Sequence, residues 1–210
     1  MTTSPSLMLL DTYGLVYRAF FAMPPFSTSA GTPTNAVLGF VNMLNRVIAE
    51  EKPTHVIAAF DKGRPSARLE LYGEYKAQRS AMPDELREQF PLVRRVLAAF
   101  GIPIAEVDGE EADDVIATLA RRAGLDGKAT LVVTGDLDLL QIADATTTIL
   151  RTRKGFSELD RFDPAAVRER FDLEQQQLAD YHGLKGDPSD NWPRRLDIGD
   201  KTATGGDVYA

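Results

Sequence analysis

Leu131-Val132-Val133-Thr134-Gly135-Asp136-Leu137-Asp138 reads as a short buried strand that releases two carboxylates just past its carboxyl end. Working outward, three more apolar runs do the same. Residues 7–10 end in Asp11, residues 56–60 end in Asp61, and residues 101–107 lead into Glu110, Glu111, Asp113 and Asp114. If these runs are parallel strands, their carboxyl ends line one crevice, where open α/β sheets place their sites. So many carboxylates cannot stay ionised in a small volume unless cations neutralise them. The pattern points to a metal site built from oxygen ligands, which suits Mg²⁺ or Mn²⁺ rather than zinc.

A chain of 210 residues, 43% apolar and 26% charged, is long enough for one substantial core. It has no cysteine, which excludes disulfides, thiolate catalysis and cysteine-held zinc. No apolar stretch approaches the roughly 18 to 20 residues of a membrane span. Residues 1–6 lack the basic start of a secretory signal, so a cytoplasmic protein with no membrane partner is expected.

The net charge of −7 argues at first against a nucleic-acid partner. The distribution of that charge argues the other way. Setting aside nine acids (Asp11, Asp61, Glu111, Asp113, Asp114, Asp136, Asp138, Asp187 and Asp190) leaves 22 acidic residues against 24 basic ones. Between Lys62 and Arg79, five basic residues (Lys62, Arg64, Arg68, Lys76 and Arg79) outnumber two acidic ones. An acidic pocket beside a basic segment suits a metal-dependent phosphodiesterase, with carboxylates for metal and cations for phosphate.

Helix is expected over residues 13–22, and a loop over residues 24–33, which are rich in Pro, Ser, Thr and Gly. Val37, Phe40, Val41, Leu44, Val47 and Ile48 recur at helical spacing over residues 35–51, with Thr34 as the cap. Residues 62–80 are charged, without an amphipathic period, and form the expected mobile segment. Pro83-Asp84 opens a helix that runs to about Phe100. Further helices are expected over 111–123, 137–143, 164–170 and 174–184, strands over 130–133 and 147–152, and a turn at Lys154-Gly155. This alternation predicts an α/β fold, a central mostly parallel sheet with helices on both faces. His55 lies in a predicted buried strand and is read as structural, whereas His182 stays unassigned. No zincin, serine-hydrolase or P-loop motif occurs.

Taken singly, each acidic motif has an ordinary reading. Acids in Glu111-Ala112-Asp113-Asp114 fall on the first turn of a helix, where the dipole favours them. Asp11 can be a helix cap, Asp61 a turn residue, and Asp187-Pro188 a simple turn. Four strand ends with the same chemistry are what set those readings aside.

In order along the chain stand Leu9-Leu10-Asp11, Ala59-Phe60-Asp61, Tyr75-Lys76-Ala77-Gln78-Arg79, Glu111-Ala112-Asp113-Asp114, Thr134-Gly135-Asp136-Leu137-Asp138 and Gly186-Asp187-Pro188-Ser189-Asp190-Asn191. This series closely resembles the 5′-nuclease (flap endonuclease-like) family, most nearly the amino-terminal 5′–3′ exonuclease domains of bacterial DNA polymerases I. The resemblance implies a PIN-like α/β nuclease domain over residues 1–172 with a helical arch at about 62–90. A partial helix-hairpin-helix DNA-binding region would follow over 173–210. It implies hydrolysis of DNA at 5′ ends and flaps, in replication and repair, with two Mg²⁺ (or Mn²⁺) ions. Asp11, Asp61, Glu111 and Asp113 match the first-metal positions, with Asp114 beside them; Asp136, Asp138, Asp187 and Asp190 match the second. Arg18 matches a position near the scissile phosphate, and Lys76 and Arg79 match arch residues that contact it. Tyr75, Arg64, Arg68 and Lys201 are the further expected DNA contacts, their ordinary alternative being a solvated basic face. A monomer is expected, with a polymerase domain in a longer parent chain.

The resemblance fails in places. The family usually follows Asn191 with a hairpin of the form G-x-x-G-I-G, then Lys-Thr-Ala and a helix. Here Arg194 and Asp197 replace two of the glycines, while Gly199, Lys201, Thr202 and Ala203 remain. Side chains at those positions should disturb the hairpin, its grip on duplex DNA and any K⁺ bound there. The helix expected after Ala203 is replaced by Thr204-Gly205-Gly206-Asp207, and Thr12 follows Asp11 where glycine is usual. Two rival readings remain open: a PIN-type ribonuclease, and a structure-specific DNA-binding module without turnover.

Overall fold

Leu7–Asp11 (β1) is a five-residue strand that alternates between two cores: Met8 and Leu10 enter one, and Leu9 enters the other. The computed structural model describes residues 6–153 and 158–193. The expectations for the Lys154-Gly155 turn, the hairpin, Lys201 and the tail lie outside the described residues. After β1 come α1 (Thr12–Ala22), α2 (Asn35–Glu51), β2 (His55–Ala59), α3 (Ser66–Leu71), α4 (Asp84–Arg87) and α5 (Phe90–Ala99). The chain continues through β3 (Ile104–Ala105), α6 (Ala112–Leu125), β4 (Thr130–Thr134), a 3₁₀ turn (Asp138–Ile142) and β5 (Thr147–Thr152). It then forms β6 (Leu159–Phe162), α7 (Pro164–Phe171), a second 3₁₀ turn (Gln175–Gln177) and α8 (Leu178–Lys185).

The six strands lie in the order β3-β2-β1-β4-β5-β6, all parallel except β6. The chain winds outward from β1 through β2 to β3, then crosses back and winds the other way from β4. That reversal makes a switch point between β1 and β4, where neighbouring connections leave on opposite faces and a crevice opens. Leu15, Phe40, Leu44, Val93 and Leu97 pack on one face of the sheet. Ile116, Ala120, Val167, Leu178 and Tyr181 pack on the other. Among the described residues, no helix is long and apolar enough to cross a membrane.

The mostly parallel sheet and its two helical layers agree with the sequence reading, but several details differ. The single helix expected from Pro83 to Phe100 is two, α4 and α5, because Pro91 has no N–H to continue the ladder. β3 is only two residues long, not seven. His55 is exposed rather than buried, since the amino half of β2 faces solvent. The antiparallel strand β6 was not anticipated. The expected helix over 174–184 divides into a 3₁₀ turn and α8.

The break at Gln89 has a purpose. Thr34, the expected cap of α2, makes no side-chain capping bond. Gln89, fully buried, caps α2 from across the core instead: its Oε1 accepts from Ala36 N at 2.8 Å and Val37 N at 3.2 Å. Its Nε2 donates to Asn35 Oδ1 at 2.9 Å and to Glu85 O at 3.0 Å. Two orphan helix donors, and Asn35 with them, are thus satisfied by one side chain from far downstream in the sequence. Gln89→Ala strands these groups away from water, and should lower the unfolding free energy by about 2–4 kcal/mol in urea titrations. A loss below about 0.5 kcal/mol would contradict the capping role.

Candidate metal centre

Asp11 closes β1 and opens α1. Its Oδ1 accepts from Gly14 N at 3.2 Å and its Oδ2 from Thr134 Oγ1 at 2.7 Å. Gly14 has to be glycine-sized, because an added Cβ would lie 2.5 Å from Asp11 Oδ2. The Thr134 hydroxyl also accepts from Asp136 N at 2.9 Å, so it links the ends of β1 and β4 across the switch point. Asp138 N in turn donates to Asp136 Oδ1 at 2.9 Å. Arg18 reaches over from α1 and donates to Gly135 O at 3.1 Å, close enough that a Cβ on Gly135 would meet its Nε at 2.7 Å. Asp61, past β2, accepts from Ala112 N at 2.9 Å at the start of α6. Glu111 and Asp114 form a reciprocal capping box on the same helix. The ordinary capping roles and the gathering of acids therefore coexist, because helix starts and strand ends share one edge of the sheet.

Asp11, Asp61, Glu111, Asp113 and Asp136 line one cavity of about 820 Å³, together with Arg18, Lys76 and Arg79. Asp138, Asp187 and Asp190 offer carboxylate oxygens within 4.8 Å of one another and line a second hollow of about 320 Å³ with Tyr75, His182 and Trp192. Asp136, placed in the second set by the family resemblance, lines the first cavity and accepts from the backbone of Asp138 in the second. Asp114 departs from the expected set. Arg68 holds its carboxylate with two bonds of 2.7 and 2.9 Å, and it lines neither cavity. Arg68, also 3.3 Å from Glu111, is thereby committed to protein carboxylates, while Arg64 is exposed.

The crowding shows in proton affinities. Burial first, then the field of Asp61 and Asp136, pushes the Asp11 carboxyl up to about 6 against the hydrogen bonds it accepts. Burial, then Asp11 and Asp136, pushes Asp113 up to about 8. Burial, then Asp136, Asp187 and Asp190, pushes Asp138 up to about 7. These are oxygen donors held at a distance where each disfavours its neighbour's charge, which is the chemistry a hard cation relieves.

Residues 72–79, within the stretch expected to be mobile, lie against the acids. Lys76 Nζ lies 2.6 Å from Glu111 Oε1 and 3.5 Å from Asp190 Oδ1, and Arg79 Nη2 donates to Asp190 Oδ1 at 2.9 Å. The Tyr75 hydroxyl reaches between the two acid groups, 2.8 Å from Glu111 Oε2 and 2.9 Å from Asp190 Oδ2. Burial and both carboxylates push its pKa up, so it stays protonated. The same stretch docks by its backbone and edges. Lys76 N donates to Asp190 O at 3.0 Å, Tyr72 OH to Asn191 O at 3.1 Å, and Gln78 Nε2 to Pro188 O at 2.6 Å. Tyr72 and Trp192 meet edge to face, with centroids 5.3 Å apart. Thr134, Tyr72 and Trp192 went unremarked in the sequence. Only the place of Thr134 inside the Thr-Gly-Asp turn could have singled it out. His182, left unassigned there, lies 3.8 Å from Asp138 Oδ1.

Residues 6–172 match the family model described as "5'-3' exonuclease, N-terminal resolvase-like domain". DNA polymerase I of Mycobacterium tuberculosis is 50% identical over 201 residues, covering 95% of this chain, and DNA polymerase I of Bacillus caldotenax is 47% identical over 197 residues, covering 94%. This chain spans 22% of the length of each. Among solved structures, zinc-bound T5 5′-exonuclease superposes with a TM-score of 0.74 at 22% identity, covering 94% of this chain and 73% of that one. The catalytic core of Rad2 in complex with DNA superposes at 0.60 with 19% identity, covering 95% and 59%. At such identities these likenesses establish the fold.

Two outcomes follow from the site. With carboxyls ordinarily near 3.8 raised to about 6, 7 and 8, the folded protein holds protons that the unfolded chain has released. In chelator, Tm should therefore fall as pH rises from 5 to 8, and added Mg²⁺ should raise Tm most at pH 8. His182, lowered by burial, acts oppositely but is one group against three. A Tm that climbs with pH in chelator would contradict the crowding. Separately, Tyr72→Ala removes the ring against Trp192, the chain's one tryptophan. Its emission should shift to the red at a stability cost of about 1 kcal/mol, whereas an unchanged spectrum would place the two rings apart in solution.

Proposed function

The chain belongs to the 5′-3′ exonuclease family, and we propose that it is a divalent-metal-dependent nuclease that hydrolyses DNA phosphodiesters at 5′ ends and flaps. The observation that carries this reading is the pair of carboxylate groups at the β1/β4 switch point, with Arg18, Lys76 and Arg79 among them. We assign Asp11, Asp61, Glu111 and Asp113 to one ion and Asp136, Asp138, Asp187 and Asp190 to a second, with Mg²⁺ or Mn²⁺ as the ions this oxygen donor set fits. When bound, such ions supply activation of water and stabilisation of charge on phosphoryl oxygens.

The chain's own residues do the rest. Arg18 is fixed by Gly135 O, so its remaining N–H groups face the cavity without reorganisation when a phosphate enters. Lys76 and Arg79 rest on Glu111 and Asp190, and an entering phosphate competes with those carboxylates for them. Were cations to take over neutralisation of those acids, Lys76 and Arg79 would be free to turn to the reacting phosphate. Tyr75, its hydroxyl anchored between the acid groups, offers a ring on which a displaced terminal base can stack. The nuclease unit is taken as residues 1–172, with the arch at 62–90 and a DNA-gripping region after it. We take it further to be a monomeric unit acting in replication and repair in a bacterial cytoplasm; the 22% of each DNA polymerase I that it spans supports a longer, polymerase-bearing parent.

A 5′-labelled flap duplex tests this. Short labelled products should appear with Mg²⁺ and vanish with chelator. Asp136→Ala should lower kcat by about 10²-fold or more while binding changes little, and Lys76→Ala by about 10²-fold. Cleavage that survives chelation, or a preference for single-stranded RNA over the flap, would overturn the assignment.

A further inference from the structure

Arg151 sits near the carboxyl end of β5, in register with Thr134 of β4 on one side and Asp160 of β6 on the other. Two residues earlier, Ile149 enters the core under α7, so Arg151 emerges on that same face, where the sheet edge meets solvent. A guanidinium on a strand of a two-faced sheet needs partners. Its Nε is shielded from water and has none among the described residues. Asp160, in register beside it, is already taken by Arg153 Nε at 2.6 Å.

The other charges facing Arg151 make matters worse. Burial weighs most against its positive charge, Arg170, Arg18 and Arg153 add to that, and Asp160 favours it. Arg18 comes from α1 over Gly135, one residue past the Thr134 that lies beside Arg151. Arg170 comes from α7, its guanidinium 5.7 Å from the Phe162 ring and 5.5 Å from the Phe171 ring. None of Arg18, Arg151 and Arg170 has a carboxylate within ion-pair distance among the described residues, although the chain as a whole is acidic. An anion entering among these cations would relieve their mutual repulsion and give the buried N–H of Arg151 an acceptor.

We propose that Arg151 and Arg170 form a second phosphate site, which binds a DNA backbone phosphate next to the one held in the cavity by Arg18. This rests on the nuclease reading, and it adds a binding site on the β5–α7 side that none of the acidic motifs marks. Arg18 belongs to both places: it lines the main cavity and neighbours Arg151. The strand would therefore run from the cavity across the end of β4 to the end of β5, with guanidinium forks engaging phosphate oxygens along it.

Binding of a labelled 5′-flap duplex to the full chain, followed by anisotropy in chelator from about 50 to 200 mM salt, tests the site without catalysis. Arg151→Gln and Arg170→Gln should each weaken binding by about 3- to 10-fold and reduce the slope of log affinity against log salt by about one unit. Arg46→Gln, on α2 and paired with Glu50, should change neither. Arg151→Gln should also leave Tm equal or higher, since it removes a repelled and unpaired group; a purely structural arginine would give a lower Tm. If Arg151→Gln fails to fold, the exposed Arg170 alone decides. Unchanged salt slopes in both variants, with Mg²⁺-dependent flap cleavage intact, overturn this site and leave the nuclease reading standing. Absence of Mg²⁺-dependent cleavage in the unaltered protein overturns that reading instead.

Discussion

Mutual repulsion among carboxylates at the β1/β4 switch point is the constraint around which this molecule is arranged. The fold itself creates the problem, because winding outward from β1 in both directions brings the carboxyl ends of four strands to one crevice. Asp11 is almost wholly buried, and Asp113 and Asp138 are pushed up to about 8 and about 7 by burial and by their acidic neighbours. Buried like charges are destabilising unless something of opposite sign is supplied. A scaffold that assembles them at the end of its best-packed strands is giving up stability for chemistry.

Three kinds of partner answer that repulsion. Fixed hydrogen-bond donors come from Gly14 N at the start of α1, Ala112 N at the start of α6, Asp138 N past β4 and the Thr134 hydroxyl. Side-chain cations come from residues 72–79, whose Lys76 and Arg79 lie across Glu111 and Asp190. Protons or metal ions supply the remainder. The arrangement has a physical economy: side chains that quiet the acids are the same ones a phosphate would recruit. Their docking on residues 187–192 through Tyr72, Gln78 and the Lys76 backbone ties this stretch to the second acidic group. The Arg18, Arg151 and Arg170 cluster is the mirror image, cations in want of an anion.

Most of the scaffold was legible because strands buried on both faces read as short apolar runs, and because amphipathic helices such as α2 carry a clear 3.6-residue period. What sequence could not convey was decided by distant partners. Gln89 caps α2 from the break between α4 and α5, so Thr34 looked like the cap and Pro83 to Phe100 looked continuous. β6 is only four residues, Leu159-Asp160-Arg161-Phe162, too short to show a pattern, and its pairing with β5 makes it a strand. The gathering of Asp11, Asp61, Glu111, Asp113 and Asp136 was foreseeable from strand ends alone. The commitment of Asp114 to Arg68 was not, since it depends on where α3 lands. Arg151 carried no signal, because a lone arginine in a strand announces nothing until its neighbours are known.

Calorimetric titration of Mg²⁺ into the full chain at pH 7, in two buffers of different ionisation enthalpy, tests the central claim most directly. If protons on Asp113 and Asp138 stand in for cations, binding should release protons to the buffer, and the release should shrink by pH 9, where those carboxyls are already ionised. Heats identical in the two buffers, or no detectable binding, would contradict it.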